Sequence, residues 1–273
     1  MYPRTQTYEM HYPSVRISNV TVSRRTALAG GGALALGAGT ALHSADALPP
    51  VPAVFVSPHQ DDELLSMGAA IMEHVALGRN VKILLIGRGN KSAVRTSQAL
   101  YNLIHRDPPP SEREFGGVRD REFQWSVSNL GATRILPPWE DRLDEKAFTA
   151  AAVASIIRNY CPPNSDLKTL SKFGGEYHND HFACHDAVAS LYASGWTSYA
   201  PRYYTLAERR QAAVSAGYSV IREGTTTPVT DLNQKPYKFE NVAQVRWGIG
   251  YKSVKSYFDS QAADPYSYRV VEP

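Results

Sequence analysis

Cysteine is scarce in this chain, with only Cys161 and Cys184 among 273 residues. Two thiols are too few for a disulfide framework, which excludes a stapled scaffold. Basic runs, an aromatic RNA-binding motif and internal repeats are also missing, so a nucleic-acid surface and a repeat architecture are excluded. A nucleotide site finds little support, because the glycines of Gly87-Arg88-Gly89-Asn90 lack the spacing of a phosphate-binding loop. The longest uncharged stretch, up to about Leu42, is too short and too glycine-rich for a stable membrane span, which needs about 20 apolar residues.

That stretch reads better as part of an export signal. Ser23-Arg24-Arg25-Thr26 opens an Ala/Gly/Leu segment, and Ala45-Asp46-Ala47 offers an Ala-x-Ala exit before Pro49-Pro50. The layout is that of a cleavable leader, and the arginine pair points to the twin-arginine route. Residues 1–47 are therefore expected to direct export to the cell surface or beyond. If the segment is not a working signal, the protein stays cytoplasmic. The leader carries four basic and two acidic residues, so the formal charge of +3 falls to about +1 without it. Residues 48–273 are expected to form a single domain.

Within that domain, apolar runs alternate with helical patterns. Strands are expected at 54–56, 81–86, 134–136 and 202–206, with helices at 64–77, 119–130, 146–159 and 181–193. Gly78, Gly131 and Gly195 follow three of those helices as stops. The order predicts an α/β fold, Rossmann-like and three-layered, with a mainly parallel sheet and right-handed crossovers. Two segments fall outside it. Residues 87–117 read as an insertion, placed after the second strand where a lid or a solvated loop would sit. Residues 207–273 form a C-terminal extension without a predicted topology: 224–228 reads as a loop and 242–247 as a possible strand. Tyr251, Val254, Tyr257 and Phe258 have helical spacing and are expected in the core.

Two clusters carry chemistry. Ser57-Pro58-His59-Gln60-Asp61-Asp62-Glu63 follows the first strand, where ligands bind in open α/β sheets. The three acids alone could be a helix start favoured by the macrodipole. His59 in front of them, and a second cluster downstream, favour a metal site instead. That second cluster, His178-Asn179-Asp180-His181-Phe182-Ala183-Cys184-His185, holds three of the chain's eight histidines. His59, Asp62 and one of these histidines complete the three-ligand set of a catalytic zinc, which leaves a position for water. Asp61, beside a ligand without being one, is the natural general base. Cys184 could be a soft ligand, although a small buried side chain is the better reading. His74 and His105 read as surface or boundary residues, and His185 as packing.

Pro58-His59-Gln60-Asp61-Asp62-Glu63 and His178-Asn179-Asp180-His181 together resemble the PIG-L/LmbE family of zinc-dependent N-acetylglucosaminyl deacetylases, with Gln60 and Asn179 in place of the usual prolines. The resemblance covers roughly residues 52–206. It implies one zinc per chain, or another divalent metal, on His59, Asp62 and His181. It further implies Asp61 as general base, His178 as oxyanion stabiliser or general acid, and Asp180 as the residue that orients His178. The segment Val118-Arg119-Asp120-Arg121-Glu122 is similar to the family's Arg-x-x-Glu helix, which makes Arg119 a candidate substrate-binding residue. Glu63 then becomes a supporting residue at the helix start. Gly87-Arg88-Gly89-Asn90 departs from the family's Gly-Glu pair after the second strand.

The insertion, the aromatic-rich extension and the leader look most like glycopeptide-antibiotic biosynthetic deacetylases of the teicoplanin type. The implied partner is a small-molecule glycoconjugate. The alternatives are a deacetylase of another N-acetylglucosamine conjugate, or an exported sugar-binding protein without catalysis.

Overall fold

The computed structural model describes residues 51–173 and 178–272. The chain divides into two units, Met1–Asp46 and Ala47–Pro273, and the described residues belong to the second. The export signal expected at 1–47 lies outside the described residues.

In chain order the first elements are β1 (Ala53–Ser57), α1 (Asp62–Leu65), α2 (Gly68–Ala76), β2 (Val81–Leu85), α3 (Gln98–Ile104) and α4 (Glu112–Asn129). Next come β3 (Thr133–Ile135), α5 (Ala150–Tyr160), β4 (Asp166–Leu170), α6 (Asn179–Ala193), β5 (Arg202–Thr205), α7 (Arg210–Ser215) and β6 (Ser219–Glu223). The last are α8 (Asp231–Lys238), β7 (Glu240–Asn241), β8 (Arg246–Trp247), α9 (Ile249–Ser253), α10 (Lys255–Ala263) and β9 (Ser267–Val271). Among the described residues, seven strands form one sheet in the order β3-β2-β1-β4-β5-β9-β6. Its first five strands pair in parallel, and β9 runs antiparallel between β5 and β6. The expected α/β fold with a mainly parallel sheet is what the chain adopts.

Two cores cover the sheet. On one face Phe55, Ile83 and Leu85 pack with residues of α1, α2, α4, α8 and α10. On the other, Val54, Val56 and Leu84 pack with α5 and α6. Every residue of β1 is buried, as the two-sided burial of a central parallel strand requires. The strand order reverses at β1, which has β2 on one side and β4 on the other. A crevice opens at the carboxyl ends of strands flanking such a switch point. Both chemical clusters lead into helices from there.

Several boundaries differ from expectation for local reasons. The helix expected at 64–77 is two helices, interrupted at Ser66-Met67. The helix expected from 119 begins at Glu112, because Ser111 caps it by accepting a hydrogen bond from the Glu114 N–H at 3.2 Å. The helix expected at 146–159 starts at Ala150 behind the Thr149 cap, with a 3-10 turn over Glu145–Ala147. The possible strand at 242–247 is a 3-10 turn followed by β8. The insertion at 87–117 is largely built structure. Leu100, Phe115 and Val118 share a small apolar cluster with Trp247 and Ile249 of the C-terminal extension.

β4 escaped the sequence reading because its Asp166 and Lys168 alternate like a half-exposed segment. Both are buried, and they neutralise one another: Lys168 Nζ and Arg79 Nη2 each lie 2.6 Å from Asp166 Oδ2. His74, expected at the surface or a boundary, is buried too, with Nδ1 2.8 Å from Arg79 and its ring edge-on to Phe55. Asp166→Ala would leave the Arg79 guanidinium and the Lys168 amine buried without their carboxylate, and urea denaturation should show a loss of about 3–5 kcal/mol.

Burial lowers Lys168 to about 7 despite Asp166. The folded chain therefore holds fewer protons than the unfolded chain between that value and the ordinary lysine pKa of about 10.4. The stability this group contributes grows as pH rises through the window and is lost as pH falls through about 7. Lys168→Met should remove that component, flattening the rise of urea-derived stability between about pH 7 and 10 relative to the unaltered protein.

Candidate metal centre

The turn from β1 into α1 has an unusual backbone. Asp61 sits at φ 111°, a region that side-chain-bearing residues rarely adopt. Three interactions hold it. Glu63 Oε2 accepts the Asp61 N–H at 3.0 Å, and Arg119 Nη2 donates to Gln60 O at 2.6 Å and to Asp61 Oδ2 at 3.0 Å. Glu63 in turn accepts hydrogen bonds from the Ser126 and Tyr237 hydroxyls. Backbone strain of this kind persists where the surroundings over-determine it.

Gln60 does not leave the loop slack where the family has proline. Its buried amide donates to Arg88 O at 3.2 Å and Asp120 Oδ1 at 2.9 Å. The Gly87-Arg88-Gly89 turn backs this loop closely. A Cβ at Gly89 would lie 2.0 Å from Gln60 Oε1, and one at Gly87 would lie 2.6 Å from Pro58 O.

The turn thus presents Asp62 and His59 toward the start of α6. Asp62 Oδ2 lies 3.2 Å from His59 Nδ1 and 3.3 Å from His181 Nε2. Those separations match the edge of a tetrahedron with bonds of about 2.0 Å, which is about 3.3 Å. A second grouping, His59 with His178 and Asp180, also clusters. There, however, His59 Nε2 is 2.9 Å from Asp180 Oδ2, a hydrogen bond rather than a tetrahedral edge. The two groupings divide one imidazole: Nδ1 faces the ligands and Nε2 donates to a carboxylate. This is the usual carboxylate–histidine–metal arrangement.

The electrostatics also call for a cation. Burial opposes charge on His59, but its bonds to Asp180 and Asp62 outweigh burial and hold the ring up to about 10. Burial likewise works against the Asp62 carboxylate, and His181 and His59 overcome it, keeping the group well below the usual carboxylate range. A divalent ion among these groups would meet the same demand for positive charge. The donor set of His59, Asp62 and His181 therefore fits zinc.

Asp61 is set differently. Burial pushes its carboxyl up to about 8, against the lowering by Arg119. It lines a pocket of about 320 Å³ together with the three ligand residues and His178. His178 is half-exposed, and burial followed by the charge on His59 lowers its pKa. Its Nδ1 is 3.4 Å from Asp180 Oδ2, farther than His59 is. Asp180, expected to orient His178, has its shorter bond to His59 and so serves both rings. Arg119, expected to contact substrate, lines the pocket while its guanidinium grips Asp61 and the Gln60 carbonyl.

Cys184 is buried in the core with α5 and α6. His185 stacks on Tyr203 with ring centroids 4.2 Å apart and bonds Glu272, as a packing residue should.

Sequence reasoning missed Glu145 and the turn Ser253–Tyr257, which supply much of the remaining lining. Val254 and Tyr257, expected in the core, pack against it only in part and border the pocket. Among the described residues, nothing from 87–117 lines it.

A Rossmann-like α/β protein with a three-ligand His/Asp centre at its switch point is thus defined. Residues 54–192 match the family model of the PIG-L, or GlcNAc-PI de-N-acetylase, proteins, and the chain belongs to that family. It is similar to the 1D-myo-inositol 2-acetamido-2-deoxy-alpha-D-glucopyranoside deacetylase of Thermobispora bispora, at 28% identity over 150 residues. That match covers 48% of this chain and 48% of the relative, so the chain spans about half the relative's length.

Among solved structures, a deacetylase triple mutant involved in teicoplanin biosynthesis aligns with TM-score 0.52 and 18% identity, over 81% of this chain and 98% of that one. An N,N'-diacetylchitobiose deacetylase from Pyrococcus horikoshii aligns with TM-score 0.50 and 15% identity, over 81% and 83%. At these identities the two structures speak for the fold.

The geometry of the His59–Asp180 bond gives a direct test. Asp180→Ala should weaken zinc binding by about 10- to 100-fold, measured by competition with a chromogenic chelator. An unchanged affinity would remove Asp180 from its supporting role.

Proposed function

We propose that this protein is a zinc-dependent amidohydrolase that removes the N-acetyl group from an N-acetylglucosaminyl substrate, releasing acetate and a free amino sugar. One observation carries the reading: a three-ligand set shares its pocket with a buried carboxylate that is not a ligand, Asp61, and a half-exposed imidazole, His178. Zinc held by His59, Asp62 and His181 would polarise the acetamide carbonyl and acidify water. Asp61 takes the proton from the attacking water, and the Arg119 guanidinium 3.0 Å away fixes which way that carboxylate points. His178 donates to the oxygen that becomes negative as the carbonyl carbon turns tetrahedral. Asp180 steadies the proton on that ring. Asp61 or His178 then protonates the departing nitrogen.

The substrate class draws support from the family and from the curated relative, whose name specifies a 2-acetamido-2-deoxy-glucopyranoside. Our finer reading is that the sugar is borne on a glycopeptide-antibiotic pseudoaglycone. The aromatic-rich C-terminal extension bordering the pocket supports it. Export by the twin-arginine route belongs to the same proposal, carried by Arg24-Arg25 and the apolar segment behind them.

Asp61→Asn should retain stoichiometric zinc yet lose about 10²- to 10⁴-fold in acetate release. His178→Ala should lose about 10²- to 10³-fold. The assay offers the zinc-loaded protein free N-acetylglucosamine, an inositol-linked form and a glycopeptide pseudoaglycone. No acetate from any of them would refute the deacetylase reading, and preference for the inositol-linked form would refute the glycopeptide one.

A further inference from the structure

The family match ends at residue 192, yet the catalytic pocket does not. Ser253, Val254, Ser256 and Tyr257, all from the C-terminal extension, form part of its lining. They lie where α9 meets α10, at a joint whose backbone leaves the helical region at Val254 (φ −141°, ψ 49°). A short helix such as α9 cannot hold that joint by itself, because so few residues make little internal structure.

Three anchors fix it. Glu122, only 1% exposed, accepts the N–H groups of Ile249 at 2.9 Å and Gly250 at 3.1 Å, so a buried carboxylate caps the start of α9. Gly250 lies so close to Tyr237 that a Cβ there would be 2.5 Å from its ring. Ser253 Oγ is 3.0 Å from Ser92 Oγ of the insertion. Glu122 stands one turn along α4 from Arg119, the residue that grips Asp61. A single helix therefore places the proposed base with one side chain and part of the pocket wall with the next.

Resting on the deacetylase reading, we infer that the turn Ser253–Tyr257 is the sugar-recognising wall of the pocket and that Glu122 is the positioning residue that holds it. A pyranose ring offers a C–H face and a rim of hydroxyls. Tyr257 provides an aromatic face with a polar tip, and Ser256 provides a hydroxyl that can donate and accept. Glu145, in the same lining, provides an acceptor. The volume of about 320 Å³ is near the lower end of small-molecule sites, about 300–1,000 Å³. The pocket thus takes one terminal acetamido sugar ring, and the group that carries the sugar stays outside it. Specificity for the sugar resides in a segment beyond the family match.

The test uses the full-length, zinc-loaded protein with N-acetylglucosamine as probe. Tyr257→Ala should raise KM about tenfold while kcat changes less than about threefold, the pattern of lost uniform binding. Inhibition by acetate, which reports the metal end of the pocket, should be unchanged. Glu122→Ala should raise KM in the same way. Glu122→Gln should give an intermediate value, because its one carbonyl oxygen still accepts an N–H. If Glu122→Ala fails to fold, Tyr257→Ala and Ser256→Ala, at pocket-lining positions, still decide the matter. Normal turnover with KM unmoved in both would overturn the wall while leaving the deacetylase reading intact. A loss of kcat with unchanged KM would also overturn it. Absence of turnover and of N-acetylglucosamine binding in the unaltered protein would overturn the wall, and the deacetylase reading falls with it only if the inositol-linked and glycopeptide forms also release no acetate.

Discussion

Four carboxylates, Asp61, Asp62, Glu63 and Asp180, are buried around one loop and one helix start. Concentrating negative charge away from water is strongly unfavourable unless each group is paired or hydrogen-bonded. The surroundings answer that demand individually. Arg119 faces Asp61, His59 and His181 face Asp62, the Ser126 and Tyr237 hydroxyls face Glu63, and His59 faces Asp180. The same demand favours a divalent cation among His59, Asp62 and His181. The fit of these donors to a divalent ion and the local fold are therefore two consequences of one electrostatic requirement.

Helix α4 is the element on which most of these compensations converge. Arg119, Glu122 and Ser126 recur at three- and four-residue spacing, so they share one face. That face meets Asp61, the start of α9 and Glu63. The insertion before α4 and the extension after β6 meet in a shared apolar cluster beside it. What reads in sequence as two appendages is one buttress behind the pocket wall. A lid reading placed the insertion over the site, whereas among the described residues it is Ser253, Val254, Ser256 and Tyr257 of the extension, rather than the insertion, that join the lining.

Legibility in the sequence followed the range of the interactions. β1, β2 and α6 were readable because local apolar runs and turn residues define them. The two donor clusters were readable because His59 and Asp62 lie within four positions and His178 and His181 within another four, while the choice among the histidines of the second cluster came from the resemblance. β4 was not, since its burial depends on Arg79 and the Asp166–Lys168 pair rather than on apolar alternation. The first turns of α4 were legible in principle, because Ser111 with Glu114 is a capping pattern. Tyr257 and Val254 have the same helical spacing whether they face a core or a pocket, and spacing alone cannot separate the two.

The sequence by itself determined the alternation that builds a parallel sheet, the two donor clusters and their delivery to the carboxyl ends of strands. These follow from periodicity and from residue chemistry at short range. The tertiary structure decided that Asp180 bonds His59 more closely than His178, that Arg119 holds Asp61, and that Glu122 caps α9 127 residues away. Such pairings depend on which side chains approach within about 3 Å once the layers have packed, and no local pattern records that distance.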